Sequence, residues 1–503
     1  MADGAVFLAV DLGAGSGRII AGLMLGGRLS LEEVYRFKNE PVEKSGNLYW
    51  DFEGLWAGVL EGLRLSVVRY GAENISSIGV DTWGVDYGFI DKSGQLLGEV
   101  RHYRDPRTKN MYEDLAKRVS KDVIFEKTGI QFMNINTLPQ MRAEVKDPDS
   151  LLPLADQFLM VPDLINLSLT GQAFCERTNA STTQFYNPIK KDWSQTLFEA
   201  LKLPLDVAPK FVSPGTNLGM VKASVRDQTG LSAETRVVTV GAHDTASAVA
   251  AVPAERGTKF AYLSSGTWSL LGVELEKPII TSLAQSYNFT NEVGVFDTIR
   301  LLKNINGLWV VQECRRVWKE QGNDWSYREL AEMASGAKRL QSFIDPDDDR
   351  FAGRCNMPLV IQDYCRETGQ SVPERPAEIL RLVTDSLAMK VRFVLERLEE
   401  VTGYRIEVLH IIGGGGQNDQ LNKSIASSIN RPVVVGPYEA TAAGNVMMQK
   451  VALEGLRSLG EGRDLIRESF QTRRFEPAHP DDWATAYVRF RNLLNCDSAG
   501  FSS

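Results

Sequence analysis

Three adjacent side chains, His243, Asp244 and Thr245, sit in the run VGAHDTASAV, where every neighbour is Gly, Ala, Ser or Val. An aspartate with an ordinary pKa of about 3.9 is ionised at neutral pH. Asp244 can therefore accept the proton of a hydroxyl group while that oxygen attacks phosphorus. The plainer reading makes Asp244 the cap of a helix starting at Ala246. A cap does not need small neighbours, whereas a place approached by a third body does, and this favours the chemical reading.

Other stretches suit anions. DLGAGSGR, Asp11 to Arg18, offers glycines that let backbone N–H groups converge on one anion, with the Ser16 hydroxyl and the Arg18 cation beside them. The chain has no Gly-Lys dipeptide, so GxxxxGK[ST] is excluded, and Arg18 stands where GxGxxG needs its last glycine. A plain hairpin turn is the alternative. SSGTW, Ser264 to Trp268, supplies hydroxyls and a glycine in a similar setting. IIGGGGQN places Gly413 to Gly416 between an apolar run and a helical pattern, which suits an adenine or an anion, although Asn418 also serves as a simple helix cap. GVDTWGVDY sets Asp81, Trp83 and Asp86 around Gly84. Strand alternation would send Asp81, Trp83 and Val85 to one face and Thr82, Gly84 and Asp86 to the other. Carboxylates in so apolar a segment need partners, because unpaired buried charge is costly. LKNINGLW adds Asn304 ahead of Gln312, and RHYRDPRT reads as a solvated loop.

These residues need elements to hold them. VFLAVDLGAGSGRIIAGLML reads as strand, glycine turn and strand, because β-prone residues flank Gly13, Gly15 and Gly17. TKFAYLSSGTWSLLGVEL repeats that plan, so a duplicated architecture is expected with one hairpin opening each half. Further strands are expected in ISSIGVDTWGVDYGFI, RVVTVGAHDT, VLHIIGGGG and RPVVVG. The third puts His243 to Thr245 at a strand's C-terminal end, where α/β folds bind ligands. AEILRLVTDSLAMKVRFVLERLEEVTG has helical periodicity and Gly403 as its stop. The stretch from Ala443 to Leu494 reads as mostly helical and as closing the second half. A boundary near Ala250 gives residues 1–250 the first hairpin and Asp244, and residues 251–503 the second hairpin and the glycine run.

A chain of 503 residues exceeds one ordinary core, so two large domains are expected. With 56 Lys+Arg against 64 Asp+Glu the net charge is -8, which argues against a general nucleic-acid binder. No basic region precedes the first apolar run, and none of the apolar runs reaches the roughly 18 residues of a membrane span. A cytoplasmic protein without a membrane partner is expected. The 5 cysteines form no CxxC pair and the 4 histidines no HExxH, so a zinc site is not implied. Cys355 and Cys365 could pair on oxidation, with reduced thiols the expected state.

Taken in order, DLGAGSGR, DTWGVD, GAHDTASAV, SSGTWSL, LKNINGLW and GGGGQN resemble the FGGY carbohydrate kinases along essentially the whole chain. The resemblance implies an α/β fold of two domains, duplicated and ribonuclease H-like as in actin, hexokinase and Hsp70, with an interdomain cleft. It implies ATP- and magnesium-dependent phosphorylation of the 1-hydroxyl of a ketose. GAHDTASAV with SSGTWSL points, within the family, to L-rhamnulose. Carried over residue by residue, Asp244 is the catalytic base, and Gly84, His243, Thr245 and Asn304 join it in binding the sugar. Ala14, Gly15, Ser16, Gly17 and Arg18 match the first phosphate loop, Thr267 the second, Gln312 a nucleotide contact and Gly414 the adenine-side turn. Asp11 is similar to the aspartate that holds magnesium. The partner is then a small sugar, bound by a monomer or homodimer.

The pattern has departures. Gly15 stands where the family usually has Ser or Glu, Val293 where it has glycine and Asn306 where it has methionine; the last two bear on the sugar. Alternatives therefore stay open: an FGGY kinase for L-fuculose, xylulose or a related polyol, or a non-catalytic nucleotide switch of the Hsp70 or actin type. Against the switch, the sequence shows no β-rich peptide-binding domain after the second half.

Overall fold

The computed structural model describes residues 4–499. The chain forms two compact units. The first comprises Met1–Pro253, Glu274–Leu301 and Glu439–Phe470, and the second Ala254–Val273, Leu302–Tyr438 and Gln471–Ser503.

In the first unit, strands β1 (Val6–Leu12), β2 (Ser16–Leu25), β3 (Arg28–Lys38), β4 (Ile75–Thr82), β5 (Asn217–Met220) and β6 (Arg236–Val238) form one sheet in the order β5-β6-β4-β1-β2-β3. β1 is antiparallel to β2 and parallel to β4, and this register sets Asp11 beside both Arg18 and Asp81. Every residue of β1 is buried, as expected of a strand covered on both faces. Val6, Leu8, Val10 and Leu12 pack with Leu55, Val59 and Leu63 of helix α1 (Phe52–Tyr70). The opposite face carries Phe7, whose ring lies under the Lys450 ammonium.

A second sheet, most of it in the second unit, has β7 (Phe260–Ser265), β8 (Trp268–Leu275), β9 (Ile299–Asn306), β10 (Val408–Ile412), β11 (Val433–Val435) and β12 (Arg473–Phe475) in the order β9-β8-β7-β10-β11-β12, with the strand Thr290–Val293 beyond β9. Here too a hairpin has a parallel strand on its other side, then a second parallel strand and an antiparallel edge. The two sheets share one plan, so the duplication expected from the hairpins is present at the level of topology.

Several expectations need correction. The strand expected through Ile90 stops at Thr82, because Val85 takes a left-handed φ of 69° and the chain turns before Tyr87–Ile90. In RVVTVGAHDT only Arg236–Val238 is strand. The boundary expected near Ala250 lies close to the first crossing at Pro253, but Glu274–Leu301 and Glu439–Phe470 return to the first unit. The C-terminal stretch therefore does not close the second half alone, and it includes strand β12. His102 and Asp105 of RHYRDPRT are buried, with the His102 ring 4.2 Å from that of Trp50, so that segment is not a solvated loop. The long helix expected before Gly403 spans Pro376–Thr402 and ends on Gly403 at φ 74°. Among the described residues no helix is long and apolar enough to cross a membrane. Cys175, Cys314, Cys355 and Cys365 are free, so Cys355 and Cys365 are not paired.

Candidate active site

Asp244 is the first residue of a short helix, α2 (Asp244–Ala250), whose N-cap position is His243. It therefore does not act as the cap. Its Oδ1 accepts from Thr245 N at 2.5 Å and from Thr245 Oγ1 at 2.9 Å. The His243 ring stands beside it, Nε2 to Oδ1 3.4 Å, and a third of the Asp244 side chain stays open. Burial raises the Asp244 pKa above the usual carboxylate value, against the pull of His243 and Thr245, while Asp11 adds to the rise. A carboxylate so placed is a stronger base than a solvated one.

The segment before Asp244 is fixed from beneath. Thr82 N donates to Ala242 O at 2.9 Å, linking it to the end of β4. Glu176 Oε2 accepts from Ala242 N at 3.1 Å, and Thr178 Oγ1 accepts from His243 N at 3.1 Å. The small residues after Asp244 have a different reason from the one expected. Ala246, Ser247, Ala248 and Val249 are buried, and helix α3 (Ala440–Glu454) approaches so closely that a Cβ on Gly444 would overlap the Ser247 carbonyl. They permit helix–helix contact within the unit.

The first hairpin brings Asp11 and Arg18 together as an ion pair, and Arg18 Nη1 also meets Glu439 Oε2 at 2.7 Å. Burial works against the Arg18 charge, and the two carboxylates more than restore it, raising its pKa. The loop between the strands is tied by Asn39, whose Nδ2 donates to Gly13 O at 2.8 Å and whose N donates to Gly15 O at 3.3 Å. Ala14 and Gly15 are exposed, and a Cβ on Gly15 would meet nothing. Gly17 is small for packing, since a Cβ there would overlap the Phe37 ring. The glycine pattern thus reflects packing at Gly17 and leaves an open backbone at Gly15.

Asp81 lies fully buried next to Asp11 in register, with Oδ2 accepting from Asn445 Nδ2 at 2.6 Å. Burial first, then Asp11, pushes its carboxyl well above the usual range. Gly84 is held by Thr182, which a Cβ would meet at 2.9 Å. Asp86 is structural: Trp50 Nε1, Trp83 Nε1 and Gln140 Nε2 donate to it at 2.6, 3.0 and 3.0 Å. Burial lifts it to about 6 against those bonds.

Thr267, Gln312, Asn304 and Gly414 lie in the second unit. Gln312, on the helix Trp309–Glu320, donates from Nε2 to Thr267 Oγ1 at 3.1 Å. Thr267 O accepts from Gly307 N at 3.2 Å and Gly266 O from Leu308 N at 3.0 Å. Asn304 is half-buried on β9. Gly414 opens onto free space, Gly413 makes the turn at φ 84°, and a Cβ on Gly415 would overlap Ser265. Asn418 caps the following helix, accepting from Leu421 N at 3.0 Å.

The donor set bears on magnesium. Arg18 engages Oδ2 of Asp11, which leaves Oδ1 as a hard oxygen ligand. Among the described residues no group of three or more His, Cys, Asp or Glu could hold a metal ion. One carboxylate fits magnesium that arrives with phosphate oxygens and its own waters. Sequence reasoning missed Asn39, Glu176, Glu439 and Asn445, each of which has a partner far along the chain.

The N-terminal domain model of the FGGY family of carbohydrate kinases matches residues 6–251, and the C-terminal domain model matches residues 261–453. A protein named rhamnulokinase from Bacteroides thetaiotaomicron is 45% identical over 488 residues, covering 97% of this chain and 99% of the relative. Rhamnulokinase of Bacillus subtilis is 40% identical over 476 residues, covering 95% and 96%. Among solved structures, a ligand-bound xylulose kinase from Lactobacillus acidophilus superposes with TM-score 0.82 at 16% identity, covering 99% of each chain. Glycerol kinase from Plasmodium falciparum with ADP gives TM-score 0.78 at 15% identity, covering 99% of this chain and 98% of the other. These structures share the two-domain α/β fold.

Proposed function

The chain belongs to the FGGY family of carbohydrate kinases, and on that premise we propose that it phosphorylates the 1-hydroxyl of L-rhamnulose with ATP, giving L-rhamnulose 1-phosphate and ADP. The observation that carries the reaction class is Asp244, a base of raised pKa at the start of α2 with His243 and Thr245 against it and part of its surface open. The sugar is taken from the relatives named rhamnulokinase.

In this reading Asp244 orients the sugar hydroxyl and removes its proton as the oxygen attacks phosphorus. Gly84, His243, Thr245 and Asn304 hold the sugar. Ala14 to Arg18 and Thr267 meet the phosphates, while Gln312 and Gly414 meet the rest of the nucleotide. ATP with magnesium supplies the phosphoryl group and offsets its charge. Asp11 would hold the metal, through the carboxylate that is ion-paired with Arg18 in this structure. The partners are small molecules, the setting is the cytoplasm and the protein acts as a monomer or homodimer.

The test is ADP release with ATP and magnesium over L-rhamnulose, L-fuculose, L-xylulose, D-xylulose, D-ribulose and glycerol, for wild type and Asp244→Asn. Turnover is expected with L-rhamnulose and should fall by at least about 100-fold in the variant, which still binds ATP. Turnover on another sugar instead would replace the substrate. ATP binding without stimulation by any sugar would overturn the kinase reading in favour of a nucleotide switch.

A further inference from the structure

Behind His243, on the side away from Asp244, lie two buried charges that the reaction as described does not use. Glu292 sits on the strand Thr290–Val293 and Arg300 on β9, and Arg300 has no solvent exposure. Glu292 Oε2 is 3.3 Å from His243 Nδ1 and 3.1 Å from Arg300 Nη2. Arg300 Nη2 is also 3.2 Å from His243 Nδ1, and both Nε and Nη2 donate to Val293 O at 3.2 and 3.1 Å. All of these groups belong to the first unit.

Hydrogen accounting chooses the tautomer. Arg300 only donates and an ionised Glu292 only accepts. With a lone pair on Nδ1, the ring accepts from Arg300 Nη2 at 3.2 Å but faces Glu292 Oε2 acceptor to acceptor, and that sealed oxygen is left with no hydrogen bond. An unsatisfied buried carboxylate oxygen is expensive. A proton on Nδ1 gives that oxygen a donor, while Arg300 Nη2 keeps its bond to Val293 O and stays ion-paired with Glu292 Oε2 at 3.1 Å. The Nε2 lone pair is left facing Asp244 Oδ1, whose carboxylate is open enough to be served by water in the resting state.

We propose that Glu292, supported by Arg300, is a positioning residue that holds the His243 ring with its proton on Nδ1, so that Nε2 receives the proton Asp244 takes from the substrate hydroxyl. The inference rests on the kinase reading. As the sugar oxygen bonds to phosphorus and the bond to ADP breaks, the hydroxyl proton passes to Asp244 and then to Nε2. The imidazolium stands between two carboxylates until it releases a proton to water, and Asp244 is restored as a base.

The experiment is nitrogen NMR of the full-length protein labelled with ¹⁵N-histidine at about pH 8, where an ordinary imidazole is neutral. With only 4 histidines in the chain, the His243 signals are assigned by their loss in His243→Gln. The resting wild type should show Nδ1 protonated and Nε2 bare, and Glu292→Gln should shift the ring toward the Nε2-protonated form. The same variant should lose roughly tenfold in kcat, a part of what a positioned acid–base group contributes, with the sugar KM changed by less than about twofold. Glu292→Asp, which keeps the charge, should recover part of the loss. An Nε2-protonated or doubly protonated ring in the resting wild type overturns the proposal, and so does a Glu292→Gln effect confined to KM. The wild-type spectrum decides even if a variant does not fold. It needs no turnover, so it fails separately from the kinase reading, which the sugar panel tests.

Discussion

Glu176 has no solvent exposure and accepts hydrogen bonds from Thr178 N, Asn179 N and Ala242 N at 2.9, 3.2 and 3.1 Å, and from Thr178 Oγ1. Burial nevertheless outweighs these donors and lifts its carboxyl to about 7 from an ordinary 4.5. Below pH 4.5 both folded and unfolded chains keep the proton, and Glu176 costs nothing. As pH rises toward 7 the unfolded chain ionises more readily than the folded one, so stability falls through that window and levels off above it. The loss is on the order of a few kcal/mol. Thermal melting from pH 5 to 8 should show wild type losing stability that Glu176→Gln, with nothing to ionise, does not lose; parallel curves would remove Glu176 from the account. The substitution also turns an acceptor into a donor facing N–H groups, so the variant starts lower. Asp244 stands out in the sequence because its neighbours are local and its type is one that can do chemistry. Glu176 does not, because burial decides what that carboxyl does, and one of its donors, Ala242 N, lies 66 residues away.

The element that presents Thr267 depends on a glycine. A Cβ on Gly307 would stand 2.6 Å from Ser269 Oγ, 2.7 Å from Gly266 O and 2.8 Å from Thr267 O. Two of those neighbours are backbone carbonyls, which cannot step aside as a side chain can. Overpacking of this kind costs about 1–3 kcal/mol, here spent on moving the β7–β8 turn. Gly307→Ala should therefore raise the KM for ATP roughly tenfold, the equivalent of about 1.4 kcal/mol, while Asp244 and the sugar KM stay as they were. Steady-state kinetics with each substrate varied in turn measures this, and an unchanged ATP KM would dissociate Thr267 from nucleotide binding. The hairpins themselves were readable, because β-prone residues flank a glycine turn in both halves and the contacts are local. The break after Thr82 was not. Alternation continues in the letters of GVDTWGVDY, but Val85 adopts a left-handed φ, and what makes that conformation tolerable is tertiary: Val85 N donates to Thr182 Oγ1 at 2.9 Å and Val85 O accepts from Thr137 Oγ1 at 2.6 Å.

At the scale of the molecule, the order of the chain and the order of the fold diverge. The paired hairpins suggested two consecutive domains, yet Glu439–Phe470 completes the first unit after the chain has built most of the second. Helix α3 within that segment contributes groups that β1 and β4 cannot replace. Asn445 Nδ2 donates to Asp81 Oδ2 at 2.6 Å, Gln449 Oε1 accepts from Ser77 Oγ at 2.6 Å, and Gln449 Nε2 donates to Leu8 O at 3.0 Å. Removing α3 would uncover an apolar sheet face and leave the buried Asp81 without its donor. Breaking a buried polar network on one side costs more than the network contributes when intact. A fragment of residues 1–253 should therefore lack a cooperative thermal transition although it contains Asp244 and the loop of the first hairpin. Supplying residues 439–470 as a separate peptide should restore protection of the β1 and β4 amides in hydrogen exchange. A sharp two-state melt of the fragment alone would show that α3 is an accessory to the first unit. If the fragment fails and the peptide rescues it, the surroundings of Asp244 form only once the late segment has returned, and folding of the first unit waits on nearly the whole chain.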